Sequence, residues 1–303
     1  MVWLAGLLTF EQCAAVFARI GKRHIPTSSI WRQVAAHGKR LQSHLHHAQQ
    51  QVAPERLNLP AAQHDHRQRK GVSMDGGMVH IRGEGWKEVK VGAVYDVDTQ
   101  LAHDTVTDEL IEMPHAVNIA YTAVLGDVPH FAQALWYTAV QQQVPAAHTS
   151  SVTADGADWI WNLAADLFPD SIQIVDWYHA RQHLTAAAQA LYPDQPHKVE
   201  AWLKQHTDFL FQGQLQRITE PLDQAGLADH SRYFHTHQRR MQYQEFREDG
   251  YPIGSGTVES AVKQHKARLT AAGMHWSRVG AELMLLVRGA VLDGSFDSLW
   301  HAA

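Results

Sequence analysis

The spacing of the apolar residues changes near residue 71, and this change constrains the fold more than any other feature. Before it, residues 7–20 (LLTFEQCAAVFARI) and 28–45 (SSIWRQVAAHGKRLQSHL) repeat apolar side chains at helical intervals. After it, residues 71–81 (GVSMDGGMVHI), 86–98 (WKEVKVGAVYDVD) and 118–127 (NIAYTAVLGD) have the composition or alternation of strands. Because these three segments follow one another closely, they can form an antiparallel meander. The sequence therefore predicts a helical segment followed by a sheet.

Helical and extended patterns alternate in the next part of the chain. They are a helix at 131–143, a fourth strand ending at Asp155, a helix at 158–168, a fifth strand at Ile172–Val175 and a helix from residue 180. This order predicts an α/β fold with an RNase H-like mixed sheet flanked by helices. Residues 194–250 are helical in pattern, and a further helix follows with Thr257 as its expected N-cap.

The charge is divided along the chain. Residues 1–70 carry ten Lys and Arg against three Asp and Glu, whereas residues 71–303 carry 16 against 28, and the whole chain has a net charge of −5. We interpret residues 1–45 as a helical, helix-turn-helix-like DNA-binding segment and residues 46–70 as a linker. The rest would be the catalytic domain, with a helical insertion at about 194–250. Mildly basic helical hairpins are also common in proteins that bind no DNA.

Composition excludes several classes of protein. No apolar run in the 303 residues approaches the ~20 needed to span a bilayer. Cys13 is the only cysteine, which excludes an intramolecular disulfide and a zinc site built from cysteines. The apolar start MVWLAGLL lacks the basic region of a signal peptide. We therefore expect a cytoplasmic protein with no membrane partner.

Three acidic residues stand where a metal site is expected. The first strand is strand-like up to Asp75, the fourth ends at Asp155, and Glu259 falls in the first turn of the helix that follows Gly256. In an RNase H-like sheet the first and fourth strands are neighbours, so the two aspartates would meet. Three carboxylates repel one another unless cations lie between them, and oxygen ligands without cysteine favour Mg²⁺ or Mn²⁺. Taken singly, each acid also fits a bland role, as a turn residue or as a helix-start residue.

Asp176 is the main rival to Asp155 as the second acid, because it also ends a strand. We prefer Asp155 because its strand is expected to lie beside the first one.

Basic residues that could contact DNA phosphates occur in three places. They are Arg32, Lys39 and Arg40 near the start, Arg239 and Arg240 in the helical insertion, and Lys263, Lys266 and Arg268 after Glu259. For Lys263, four residues past Glu259, the alternative is a plain ion pair along the helix.

Three separated stretches carry a resemblance to a known family. VSMDGGMVHIRGEGWKEVKVG, ADGADWIWNLAADLFPDSIQIVDWYHARQHL and YPIGSGTVESAVKQHKARLTAAGMHWS resemble bacterial insertion-sequence DDE transposases of the ISKra type, which are similar to Mutator-like transposases. The resemblance covers nearly the whole chain from Leu7. It implies cleavage and strand transfer at transposon ends by a metal-dependent catalytic triad of Asp75, Asp155 and Glu259.

The resemblance also implies supporting residues and partners. QIVDWYHA is similar to a Mutator-like signature with Cys or Asp three positions before His, here Asp176 and His179. His179 would support the active site or a DNA strand, although an ordinary strand-end histidine fits as well. The expected partners are DNA, as transposon ends and target, and further copies of the chain in a homodimer or higher oligomer on nucleoid DNA.

Two other functions stay open at this point. One is a nuclease of the same fold that performs no strand transfer. The other is a truncated or domesticated DNA-binding protein that no longer cuts. The intact acids favour the first of these over the second.

Overall fold

A computed structural model describes residues 1–52, 69–103 and 110–302 of the chain. The strands are β1 (Arg69–Ile81), β2 (Gly85–His103), β3 (Leu110–Val124), β4 (Thr149–Ala154) and β5 (Ile172–Val175). The helices before β5 are α1 (Val2–Leu7), α2 (Phe10–Arg19), α3 (Thr27–Gln51), α4 (Val128–Gln141) and α5 (Asp158–Leu167). Those after it are α6 (Trp177–Leu191), α7 (Pro196–Phe211), α8 (Gln216–Gln224), α9 (Ala228–Thr236), α10 (Tyr243–Glu248), α11 (Gly256–Leu269), α12 (Arg278–Leu292) and α13 (Phe296–Ala302).

The five strands form one mixed sheet in the order β3-β2-β1-β4-β5. β1 pairs antiparallel with β2, which pairs antiparallel with β3, so the three form the predicted meander. β4 lies parallel to β1 on its other side, and β5 lies parallel to β4. The α/β class, the mixed sheet and the adjacency of the first and fourth strands agree with the sequence prediction.

Each face of the sheet packs against its own set of helices. On one face, Val72, Met74 and Val94 are buried together with residues of α4 and α5, such as Phe131 and Ile160. On the other face, Val79, Val91 and Tyr95 are buried with residues of α3, α11 and α12. Alternate residues of β1 therefore belong to different cores, as expected for a strand covered on both sides.

The first Asp-Gly pair is not a turn, which corrects the prediction that β1 ends at Asp75. β1 continues to Ile81, and Asp75 pairs with Val91 in the middle of the β1–β2 ladder. The chain turns instead after Ile81, where Gly83 and Gly85 have φ angles of +80° and +75° that suit glycine. β4 is shorter and ends opposite Met74.

The N-terminal helices are packed on the body. Ile30, Val34 and Leu41 of α3 are buried in the same core as the sheet residues of the second face. Residues 20–26 connect α2 to α3. Helix α3 continues to Gln51 and so covers the start of the interval predicted as a linker. Residues 53–68 of that interval lie outside the described residues.

Helices α7 to α10 occupy the stretch predicted as a helical insertion. They lie between α6 and α11 in the chain, and Leu210, Ile218 and Phe234 are buried in the core of the first face. Within residues 1–52, 69–103 and 110–302, no helix combines the length and the hydropathy that a transmembrane span requires.

Candidate active site

The pairing of β1 with β4 brings Asp75 and Asp155 to neighbouring positions. Met74 pairs with Ala154 in the parallel ladder, and each aspartate is the next residue in its chain. Neighbouring strands lie about 4.8 Å apart, and residues in register project from the same face. The two aspartates are therefore neighbours on adjacent strands at the carboxyl end of β4, although β1 runs on past this point.

One carboxylate oxygen of each of these aspartates accepts a hydrogen bond from a nearby backbone N–H. The Gly76 N–H donates to Asp75 Oδ1 at 2.6 Å, and the Ala157 N–H donates to Asp155 Oδ1 at 2.9 Å. Neither Oδ2 receives a hydrogen bond from a described residue. Each carboxylate is thus oriented by the backbone and keeps an oxygen available for a ligand.

The electrostatics of Asp75 reveal which charges surround it. Burial is the largest cause that raises its pKa from 3.8 to about 6, and the charges of Asp155 and Glu259 raise it further. The hydrogen bond from Gly76 and the charge of His179 lower it. The charges of Asp155, Glu259 and His179 therefore all act on the Asp75 carboxylate.

Glu259, whose charge acts on Asp75, lies on a helix, whereas the two aspartates lie in a strand or directly after one. It lies in the first turn of α11, whose N-cap is Ser255 and not the predicted Thr257. Its side chain is 44% exposed, and Lys263 Nζ lies 3.4 Å from its Oε2. The third acid is consequently less constrained than the two aspartates.

Asp176 follows β5 directly and lies beside Asp155, but the fold uses both of its oxygens. Oδ1 accepts a hydrogen bond from the His179 N–H at 2.6 Å and caps α6. Oδ2 accepts one from the Ser255 N–H at 2.6 Å, at the start of α11. Asp176 is only 1% exposed. It therefore fixes the start of the helix that carries Glu259, which makes it a structural support and a poor ligand.

The predicted DNA-binding residues fall into two groups. Exposed side chains are those of Arg32, Lys39, Arg40, Arg239, Lys263 and Lys266. Arg240 is half-buried, donates to Gln173 Oε1 at 2.8 Å and lies 4.5 Å from the Trp161 ring centroid.

Arg268 is buried, so the prediction that it contacts DNA is wrong. It is only 3% exposed, donates from Nε to the Ala5 carbonyl at 2.8 Å and lies 4.8 Å from the Phe10 ring centroid. Burial lowers its pKa to about 10. Its position in α11 turns it towards the N-terminal helices, so it ties α11 to α1.

Three aromatic and imidazole side chains beside Asp155 were not predicted. A Cβ on Gly156 would lie 2.8 Å from Tyr233 Cε2 and 3.3 Å from His237 Nε2. The Tyr233 ring stacks on His183 with centroids 3.6 Å apart. No sequence signal links these residues to Asp155, because His183, Tyr233 and His237 lie 28, 78 and 82 positions further along the chain.

The donor set fits a hard divalent cation in chemistry. Carboxylate oxygens are the ligands that Mg²⁺ and Mn²⁺ prefer, and repulsion between Asp75 and its acidic neighbours is what a cation would relieve. Nevertheless, in the part of the chain that the structure describes, no three His, Cys, Asp or Glu side chains converge closely enough to form a metal site. Rotation of the Glu259 side chain, which is 44% exposed, would be one way to bring the acids closer together.

No protein-family model matches the chain, and no curated protein matches it in sequence.

Proposed function

We propose that the protein is a metal-dependent DNA transposase with an RNase H-like catalytic core. The observation that carries the proposal is the placement of Asp75 beside Asp155 at the carboxyl end of β4, with the charge of Glu259 acting on Asp75. The strand order and directions are those expected of an RNase H-like sheet, which supports the same proposal.

In this proposal Asp75, Asp155 and Glu259 would hold Mg²⁺ or Mn²⁺. Two such ions, when bound, supply activation of the attacking water or 3′-hydroxyl and stabilisation of the leaving oxygen. The chain contributes orientation: the backbone N–H groups of Gly76 and Ala157 hold each aspartate by one oxygen. Asp176 contributes by anchoring the start of α11, and thereby Glu259.

Basic residues close to the acids would hold the DNA backbone. A Cβ on Gly77 would lie 3.4 Å from Lys266 Cδ, so the aliphatic part of this lysine runs over β1 two positions beyond Asp75. Lys263 lies one turn earlier on the same exposed side of α11. Both ammonium groups can meet a phosphodiester next to the acids without reading its sequence.

The resemblance to transposases supports the wider assembly. A homodimer or higher oligomer would hold two transposon ends together on nucleoid DNA. Arg32, Lys39 and Arg40 of α3 are exposed and would contact those ends, although Arg32 also donates to Ser29 Oγ and Arg40 lies over the Trp300 ring.

The test is cleavage and joining of DNA that carries the sequences flanking the reading frame, where inverted repeats are expected. Wild-type protein, Asp155→Asn and Asp166→Asn are compared with Mg²⁺. Asp166 is the matched control, because it is an exposed aspartate on α5. We expect both activities in the wild type and the control, and a loss of about 1000-fold or more in Asp155→Asn.

Two outcomes would contradict the proposal. Activity that survives Asp155→Asn would overturn the assignment of the triad. Cleavage without joining, in every substrate configuration, would favour the nuclease.

A further inference from the structure

Helix α9 of the insertion reaches the end of β4, next to Asp155. The Tyr233 ring packs so closely on Gly156 that a Cβ there would come within 2.8 Å of Cε2 and 3.5 Å of the hydroxyl. Gly156 directly follows Asp155. The absence of a side chain at this position therefore lets a residue of the insertion lie against the backbone of the second acid.

The orientation of the Tyr233 ring is fixed from several sides. His183 of α6 stacks on it with an angle of 11° between the rings, and His237 meets it edge-on at 5.0 Å between centroids. Phe234 makes a second edge contact at 5.5 Å. Because the ring is fixed in this way, its hydroxyl can form hydrogen bonds only with groups that lie close to its present position.

The Tyr233 hydroxyl is buried and forms no hydrogen bond with any described residue. A buried polar group without a partner costs about 1–3 kcal/mol, so the position calls for an explanation. Burial raises the pKa of Tyr233 most strongly, and the charges of Asp155 and Asp176 raise it further. The hydroxyl therefore stays protonated, as a donor, in the field of two carboxylates.

Only one of the two carboxylates has an oxygen to spare. Both oxygens of Asp176 accept backbone N–H groups, at 2.6 Å each. Asp155 accepts only the Ala157 N–H, through Oδ1. Asp155 Oδ2 receives no hydrogen bond from a described residue, and its two lone pairs allow it to accept one from Tyr233 and still face a cation.

We propose that Tyr233 is a positioning residue that donates a hydrogen bond to Asp155 when this aspartate turns to hold a cation. The inference rests on the proposed metal-dependent function and adds that the helical insertion completes the metal site. In this proposal the helical insertion contributes a side chain to the metal site. Partners of metal ligands that act in this way orient the ligand and raise metal affinity.

The experiment measures binding of Mn²⁺ alone, without DNA, to the full chain. Wild type, Tyr233→Phe, Asp155→Asn and the control Tyr192→Phe are titrated while free Mn²⁺ is followed by electron paramagnetic resonance, well below the melting temperature of each protein. We expect Tyr233→Phe to weaken binding about tenfold and Tyr192→Phe to leave it unchanged. The Tm of Tyr233→Phe without metal should equal or exceed that of the wild type, because the lost hydroxyl has no partner.

The outcomes separate this inference from the proposed function. Equal Mn²⁺ affinity in Tyr233→Phe and wild type, with binding abolished in Asp155→Asn, would overturn the role of Tyr233 and leave the metal site standing. A lowered metal-free Tm with unchanged affinity would overturn it as well, since the residue would then serve packing alone. Binding that Asp155→Asn does not weaken would overturn the metal site and, with it, this inference.

Discussion

Asp155 and Asp176 directly follow the neighbouring parallel strands β4 and β5, yet their carboxylates have opposite surroundings. Asp176 is almost completely buried, and both of its oxygens accept backbone N–H groups from α6 and α11. Asp155 is half-buried and accepts one backbone N–H. The difference teaches that a carboxylate at the end of a strand is a candidate metal ligand when backbone N–H groups bond to one of its oxygens and leave the other oxygen free.

The same contrast applies to the basic residues. Arg268 and Arg239 were both expected to contact DNA, but the buried Arg268 donates a hydrogen bond to the Ala5 carbonyl. Arg239 is exposed and has no hydrogen-bond or ion-pair partner in the described part of the chain. Stability is therefore expected to depend on the buried residues Asp176 and Arg268, and function on the more accessible Asp155 and Arg239.

The largest expected effect on stability belongs to Asp176. Asp176→Ala should lower the free energy of unfolding by about 3 kcal/mol, because two N–H groups lose their acceptor. Asp155→Asn should change it by less than about 1 kcal/mol, since the amide oxygen still accepts from Ala157. Urea unfolding of both variants measures the two values, and equal losses would erase the contrast.

Arg268 should come next in size. Arg268→Met should destabilise by about 2 kcal/mol, through the lost hydrogen bond to Ala5 and the lost contact with Phe10. Arg239→Met should leave stability within about 0.5 kcal/mol and reduce the salt dependence of DNA binding by about one phosphate contact. Fluorescence anisotropy at several salt concentrations provides the binding measurement. An unchanged salt slope would remove Arg239 from the DNA surface.

Asp75 should link stability to pH. Its pKa is about 6 in the folded protein and 3.8 as the ordinary value, so the folded state binds the proton more tightly. Without metal, the contribution of Asp75 to the free energy of unfolding should therefore be most favourable at low pH. It should fall as the pH rises from about 4 to about 6.

Asp75→Asn should abolish that fall. At pH 7 the variant should be more stable than the wild type by about 1–2 kcal/mol, after allowance for solvent screening at this half-buried site. Thermal unfolding between pH 4 and 7 in the presence of a chelator measures the effect. A wild type whose pH dependence matches that of the variant would contradict it.

The smallest effect concerns the ion pair between Lys263 and Glu259. Both side chains are largely or partly exposed at 3.4 Å separation, so Lys263→Met should change stability by less than about 0.5 kcal/mol. DNA affinity should nevertheless fall, with a salt slope reduced by about one. A loss of stability without a loss of DNA affinity would show that Lys263 only forms an ion pair with Glu259 and does not contact DNA.

Much of the architecture followed from local patterns in the sequence. The change of periodicity near residue 71, the meander and the alternation of helices and strands all depend on neighbouring residues, which a sequence displays directly. The extension of β1 past Asp75 was missed because it depends on pairing with β2, and Asp-Gly-Gly by itself suits a turn.

The site was predictable only in part. Asp75 and Asp155 could be paired once the first and fourth strands were assumed to be neighbours, because each aspartate was expected at or near the end of its strand. The burial of Arg268 and the contact between Tyr233 and Gly156 join residues 263 and 77 positions apart, and nothing in their local sequence marks the partner. Tertiary contacts of this kind decide whether a polar side chain is structural or available for chemistry.

The central claim is that Asp75, Asp155 and Glu259 hold divalent cations together. A crystal structure with Mn²⁺ and a DNA end, recorded with anomalous scattering, tests it most directly. We expect at least one anomalous peak about 2.1 Å from oxygens of both aspartates, with Glu259 turned away from Lys263 towards it. Crystals in which ordered DNA occupies the sheet edge and no manganese contacts Asp75 or Asp155 would contradict the claim.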